Sequence, residues 1–126
     1  MLQAAGAQAL AHALQHNTSL QHVDLRLNHV ADDGASALCR ALLRNATLLE
    51  LLLAGNELTQ RTAVLMAQVV TQNTALLSVD LSCNHLAQVS SAYMRRRSYS
   101  AAVRPVHVLA AVGRRYLQPA YFWAPL

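Results

Sequence analysis

Leu48-Leu49-Glu50-Leu51-Leu52-Leu53-Ala54-Gly55-Asn56-Glu57-Leu58 is the stretch that decides the fold. Its spacing is L-x-x-L-x-L-x-x-N-x-L, carried by Leu48, Leu51, Leu53, Asn56 and Leu58. The same spacing recurs with a 28-residue period, as Leu20, Val23, Leu25, Asn28 and Val30 in the copy before and as Leu76, Val79, Leu81, Asn84 and Leu86 in the copy after. Apolar alternation alone arises easily in a hydrophobic chain, but an asparagine in phase in all three copies does not. A fixed period of this length marks a repeat architecture, in which no unit buries its apolar face until its neighbours stack on it.

The stretches between the motifs repeat too. Ala7, Leu10, Ala11 and Leu14, then Ala35, Leu38, Cys39 and Leu42, then Ala63, Met66, Ala67 and Val70 stand at i, i+3, i+4 and i+7. That is the apolar stripe of an amphipathic helix. The period therefore predicts parallel strands near 22–26, 50–54 and 78–82, alternating with helices near 5–16, 33–44 and 61–72. Asp32 and Asp33 are expected at the N-terminus of the second helix, where carboxylates cap and meet the helix dipole favourably.

From about Gly6 to Leu86 the chain resembles the ribonuclease-inhibitor-like class of leucine-rich repeats. Asn17-Thr18-Ser19-Leu20 and Asn45-Ala46-Thr47-Leu48 are similar to phrases in cytosolic immune-receptor and ciliary members. The resemblance implies an α/β solenoid with parallel strands on the concave face and helices on the convex face. It implies that Asn28, Asn56 and Asn84 bond backbone groups in the turn after each strand, as a ladder. It also implies a protein partner on the concave face and no catalysis or cofactor. Some members of the class regulate GTPases, and Arg26, the one concave arginine, would be the first suspect for such a role.

With the motif residues turned inward, the residues between them face outward, because side chains alternate along a strand. These are His22, Asp24 and Arg26, then Glu50, Leu52 and Ala54, then Ser78, Asp80 and Ser82. The face is mildly acidic, and Leu52 stands out as an apolar side chain expected in water.

The charge is divided sharply along the chain. Residues up to Leu86 hold four arginines and all six acids, a net −2; from Ala87 onward six arginines and no acid give +6, which sums to the overall +4. Such a step usually marks a boundary. The expected organisation is a repeat domain over 1–87 of about three repeats and an irregular, Arg-rich tail over 88–126. A strict 28-residue register would put apolar residues at 104, 107 and 109, where Arg104, His107 and Leu109 stand, with Pro105 inside. The repeat is therefore expected to end, either in a short irregular cap or in an unrelated tail on a truncated product without independent function. Uncapped repeat ends would favour self-association.

At 54% hydrophobic and 13% charged residues the composition excludes a fully disordered chain. No apolar run is long enough for a membrane span, and no signal peptide is evident, so the expected compartment is cytoplasmic, with cytoskeletal, ciliary or nuclear sites also open. Cys39 falls on a buried helix stripe and Cys83 in a turn, too few for a disulfide framework. His12 and His16 stand four apart without a third metal ligand in phase. His29 and His85 share a repeat position and read as turn residues. Asn17-Thr18-Ser19 and Asn45-Ala46-Thr47 have the form of glycosylation sequons, which the repeat consensus explains better. Arg95-Arg96-Arg97-Ser98 is a basic run that reads as solvated; contact with nucleic acid is not expected.

Overall fold

The computed structural model describes residues 1–86, 106–109 and 120–122, the last two segments by their backbone alone. Helices α1 (Gln3–Leu14), α2 (Ala31–Leu42) and α3 (Gln60–Gln72) alternate with strands β1 (His22–Asp24), β2 (Glu50–Leu52) and β3 (Ser78–Asp80). The strands pair in parallel with His22 opposite Glu50 and Glu50 opposite Ser78, so each step along the sheet is one full repeat of the sequence motif. The result is an α/β leucine-rich-repeat solenoid, with a strand layer on one side and a helix layer on the other.

The motif residues build the core between the layers. In the middle repeat Leu48, Leu51, Leu53 and Leu58 are fully buried, and Leu76, Val79, Leu81 and Leu86 are buried in the next. The first repeat departs from the pattern: Val23, Leu25 and Val30 are buried, but Leu20 is 40% exposed. Its counterparts Leu48 and Leu76 each have a preceding repeat to lie on. Among the described residues Leu20 has none.

Small residues set the helix spacing. A Cβ on Gly34 would stand 2.9 Å from Ala7 Cβ and 3.2 Å from Ala4 Cα, so α2 approaches α1 more closely than any larger residue there allows. The helices α1 and α2 begin earlier than the apolar stripe suggests. Gln3 and Ala31, one period apart, both open their helices at positive φ (58° and 54°), a sharp entry that hydrophobic periodicity does not encode.

That early start moves the acids. Asp32 and Asp33 lie inside the first turn of α2, and no side chain caps this helix. Asp32 instead reaches the next repeat, accepting hydrogen bonds from Thr59 N (2.9 Å), Thr59 Oγ1 (2.6 Å) and Thr62 Oγ1 (2.6 Å). Partial burial pushes its carboxyl up, but the hydrogen bonds from Thr59 and Thr62 outweigh this and hold its pKa below the usual range. Asp33 pairs with Arg61 at 3.0 Å. The two acids thus tie α2 to α3, and Thr59 caps α3 by accepting from Arg61 N.

The sheet continues past the third repeat. Strand β4 (Val106–Leu109) is parallel to β3, and β5 (Ala120–Phe122) returns antiparallel to β4. Ser78 lies opposite His107 and Val79 opposite Val108, so this step is longer by a single residue than the two before it. That addition shifts the strand out of strict register, which is why extrapolation to 104, 107 and 109 misses it. The expectation of an irregular tail therefore does not hold for β4 and β5. The boundary at 87 and the basic run Arg95–Ser98 lie outside the described residues.

Candidate functional site

The outward-facing residues of the three repeats stand in ranks across the sheet: His22, Glu50 and Ser78, then Asp24, Leu52 and Asp80, then Arg26, Ala54 and Ser82. The first two ranks follow directly from the strand register. Strand pairing sets neighbours within a rank about 4.8 Å apart.

The charges on this face largely answer one another. Arg26 donates to both carboxylate oxygens of Asp24, Nε to Oδ1 at 2.9 Å and Nη2 to Oδ2 at 2.7 Å. These bonds lower the Asp24 pKa, and the side-chain hydrogen bond to Asp24 raises that of Arg26, with Asp80 and Glu50 adding to it at longer range. His22 Nδ1 lies 3.5 Å from Glu50 Oε1. Asp24 and Asp80 also accept from the backbone N–H two residues on, in Arg26 and Ser82. With histidine neutral, three acids against one arginine leave the face acidic.

Leu52 is half-buried between its ranks rather than exposed. Among the described residues the most exposed leucine is Leu27, at 75%, one residue beyond the concave position Arg26. Leu27, Gly55 and Cys83 hold the same repeat phase and share positive φ (57°, 66° and 54°). Only at Gly55 is that conformation free of steric cost; a leucine there is held against a penalty of about 1–2 kcal/mol. The Leu27 side chain lies over Gly55, where an added Cβ would meet Leu27 Cδ2 at 2.5 Å. Together Asp24, Arg26, Leu27, Ala54, Gly55 and Cys83 line an open depression of about 540 Å³. Neither Leu27 nor Gly55 is visible as a site residue by strand alternation, because both lie in the turn after the strand. The signal in the sequence is a leucine at the phase where the next repeat places glycine.

The turn is fixed by asparagines. Asn56 Oδ1 accepts from Asn28 N (3.0 Å) and Val30 N (3.1 Å), while its Nδ2 donates to Leu25 O (2.8 Å), Leu53 O (3.0 Å) and Ala54 O (3.3 Å). Asn84 does the same one repeat on, accepting from Asn56 N and Leu58 N and donating to Leu53 O, Leu81 O and Ser82 O. Asn28 makes fewer such bonds: it accepts from Leu2 N and donates to Arg26 O.

A second asparagine rail runs along the opposite ends of the strands. Asn45 donates to Leu14 O and Asn17 O and accepts from Thr47 N and Leu48 N. Asn73 repeats this with Leu42 O, Asn45 O, Ala75 N and Leu76 N. The sequon-like form of Asn17 and Asn45 hides this role, although the 28-residue recurrence at 17, 45 and 73 is its signature.

His29 does not meet His85; its Nδ1 lies 2.6 Å from Glu57 Oε1. The rings of His12 and His16 pack edge to face with centroids 5.8 Å apart. Among the described residues no group of three or more histidine, cysteine or acidic side chains could hold a metal, and no helix is long and apolar enough to cross a membrane. Cys39 is buried, and burial pushes its thiol pKa up to about 12; Cys83 is exposed. A native-state thiol titration is therefore expected to give one fast-reacting sulfhydryl of the two, with the second appearing only on unfolding. Two fast thiols in the folded protein would contradict the burial of Cys39.

A family described as Leucine Rich repeat matches residues 16–39. Among solved structures, "Leiomodin-1 Actin-Binding Site 2 (ABS2)" superposes with a TM-score of 0.70 at 20% identity, covering 74% of this chain and 55% of that one. The tropomodulin C-terminal domain from Caenorhabditis elegans gives a TM-score of 0.70 at 14% identity, covering 82% of this chain and 61% of that one. The chain thus spans little more than half the length of either neighbour. A search of curated proteins finds no match. At these identities the likeness carries the fold.

Proposed function

We propose that this chain, built of leucine-rich repeats, is a protein-binding module that takes its partner on the concave face. The observation that carries the reading is Leu27. A large apolar side chain is held at 75% exposure in a backbone conformation that costs free energy, on the rim of the 540 Å³ depression. Strain of this kind collects at sites of function. The surrounding Asp24, Glu50 and Asp80 suit a partner that presents basic residues around an apolar one. An arginine that completes a GTPase site needs a free guanidinium, and that of Arg26 is held by Asp24.

The test separates fold from function. Leu27→Gly removes the apolar anchor and the left-handed strain together, so stability should stay level or rise by up to about 1 kcal/mol. A photo-crosslinker on Cys83 should trap partner, while the same group on the convex face, at Val64→Cys in a Cys83→Ser background, should not. Leu27→Gly should lower the yield from Cys83 at least tenfold. Equal adducts from both faces, or a yield indifferent to Leu27→Gly, would overturn the reading. Purified actin is the first defined ligand to try, since one structural neighbour is described as an actin-binding site.

A further inference from the structure

The ion pairs of the described residues leave two arginines over. Asp24 and Asp33 pair with Arg26 and Arg61. Glu50 and Glu57 lie against His22 and His29. Asp32 accepts from Thr59 and Thr62, and Asp80 from Ser82 N. These are all six acids of the chain. Arg40 and Arg44 are exposed and, among the described residues, pair with none of them.

The 28-residue period doubles this pair. Arg40 stands in the last turn of α2 and Arg44 just past its end; His12 and His16 hold the same positions on α1 and are exposed as well. Residues four apart are separated by about 6 Å along a helix axis, and packed helices by about 8–10 Å. The four side chains therefore mark a rectangle of about those dimensions. Helix α2 packs between α1 and α3, yet Arg40 and Arg44 are exposed. The rectangle thus lies on the outer surface of the helix layer, which repeats stacked on either flank do not cover. The helix dipole does not require these cations: α3 has no basic residue in its last turn, and Gln68 and Gln72 hold the matching positions. The stretches that follow α1 and α2, 15–21 and 43–49, contain no acid.

We propose that this convex surface docks an acidic helix of a protein partner, independently of the concave face. Carboxylates at i and i+4 of such a helix lie on one side of it, with the same rise of about 6 Å that divides Arg40 from Arg44. A guanidinium holds a carboxylate by two parallel N–H bonds, a geometry that favours arginine over any other cation. Laid along α2, the helix brings its other flank over His12 and His16, each of which offers a ring N–H. Leu43, 39% exposed between the two arginines in sequence, adds apolar contact. Residues 1–86 contain no aromatic side chain, so a nucleic acid finds no ring here on which to stack its bases. One exposed leucine beside the arginines gives a membrane little apolar surface to bury.

The test uses the full 126-residue chain at physiological salt, where long-range attraction is screened. The probe is a fluorescein-labelled, alanine-rich helical peptide with glutamates paired at i and i+4; the same peptide with glutamines is the control. Fluorescence anisotropy should show binding of the first and none of the second. Arg40→Gln with Arg44→Gln should weaken binding at least tenfold and leave the thermal midpoint unchanged, since both side chains are exposed. Arg95→Gln with Arg96→Gln and Arg97→Gln should leave it within twofold. Leu27→Gly should not alter it, which separates this surface from the concave partner site. A photo-crosslinker on Leu43→Cys, in a Cys83→Ser background, should capture the peptide, and one on Cys83 of the native chain should not. Absence of binding, a loss that follows the triple variant instead, or capture from Cys83 alone overturns the proposal. So does tighter binding of a phosphatidylserine vesicle or a single-stranded oligonucleotide with the same dependence on Arg40 and Arg44.

Discussion

Asn56→Ala is expected to destabilise the chain by about 4 kcal/mol. Asn56 is fully buried, and not all of its five hydrogen-bond partners suffer equally when it is removed. Ala54 O still accepts from Leu27 N, and Leu53 O still accepts from Asn84 Nδ2. The groups left without a partner are Asn28 N, Val30 N and Leu25 O. Each buried orphan costs about 1–3 kcal/mol, and Asn28, being half-buried, can recover part of its share from water. The comparison variant is Asn28→Ala. Asn28 Oδ1 serves a single backbone N–H, that of Leu2, so its loss should cost only about 1 kcal/mol. Urea titration of both variants reads the difference directly. Equal costs at the two positions would mean that the backbone, and not the asparagine, holds the turn.

Leu53→Ala should cost about 3 kcal/mol, within the range for large-to-small changes in cores. Leu53 is fully buried in the middle repeat, with Leu25 before it and Leu81 after it at the same phase. Its backbone is fixed as well, since Leu53 N donates to Asp80 O at 2.8 Å. The side chains around it therefore have little room to collapse into the space, and the cavity term adds to the lost transfer energy. The control is Leu20→Ala. Leu20 holds an equally prominent motif position but is 40% exposed, and should cost about 1 kcal/mol or less. A denaturation midpoint for Leu53→Ala matching wild type would place Leu53 outside the core.

These contrasts show what a sequence can and cannot say about such a chain. The leucine and asparagine spacing determines strand phase, helix phase and the parallel register, because each follows from a side-chain period. It cannot rank Leu20 below Leu53, since that difference lies in whether a neighbouring repeat is present. It places Leu52 in water, where strand alternation puts it, although the two flanking strands half-bury it. It assigns Asp32 to the helix it begins rather than to Thr59 and Thr62 of the next repeat, since capping rules are local and this contact joins adjacent repeats. Leu27 escapes because its importance rests on a positive φ, a backbone property that leucine does not advertise. Strand β4 escapes because a single extra residue breaks a count that had held for three repeats.

The asparagine bonds also have a direction. Asn56 serves Leu25, Asn28 and Val30; Asn84 serves Leu53, Asn56 and Leu58; Asn45 and Asn73 reach back to Leu14 and Leu42. In each case the later residue completes the earlier turn. A polypeptide leaving the ribosome N-terminus first therefore cannot close the turn at Asn28 until Asn56 has emerged, nor the turn at Asn56 until Asn84 has. Synthesis of this chain should leave each unit waiting for the next, so that nascent chains halted just before Asn56 are protease-sensitive around Leu25–Val30 and those halted well beyond it are not.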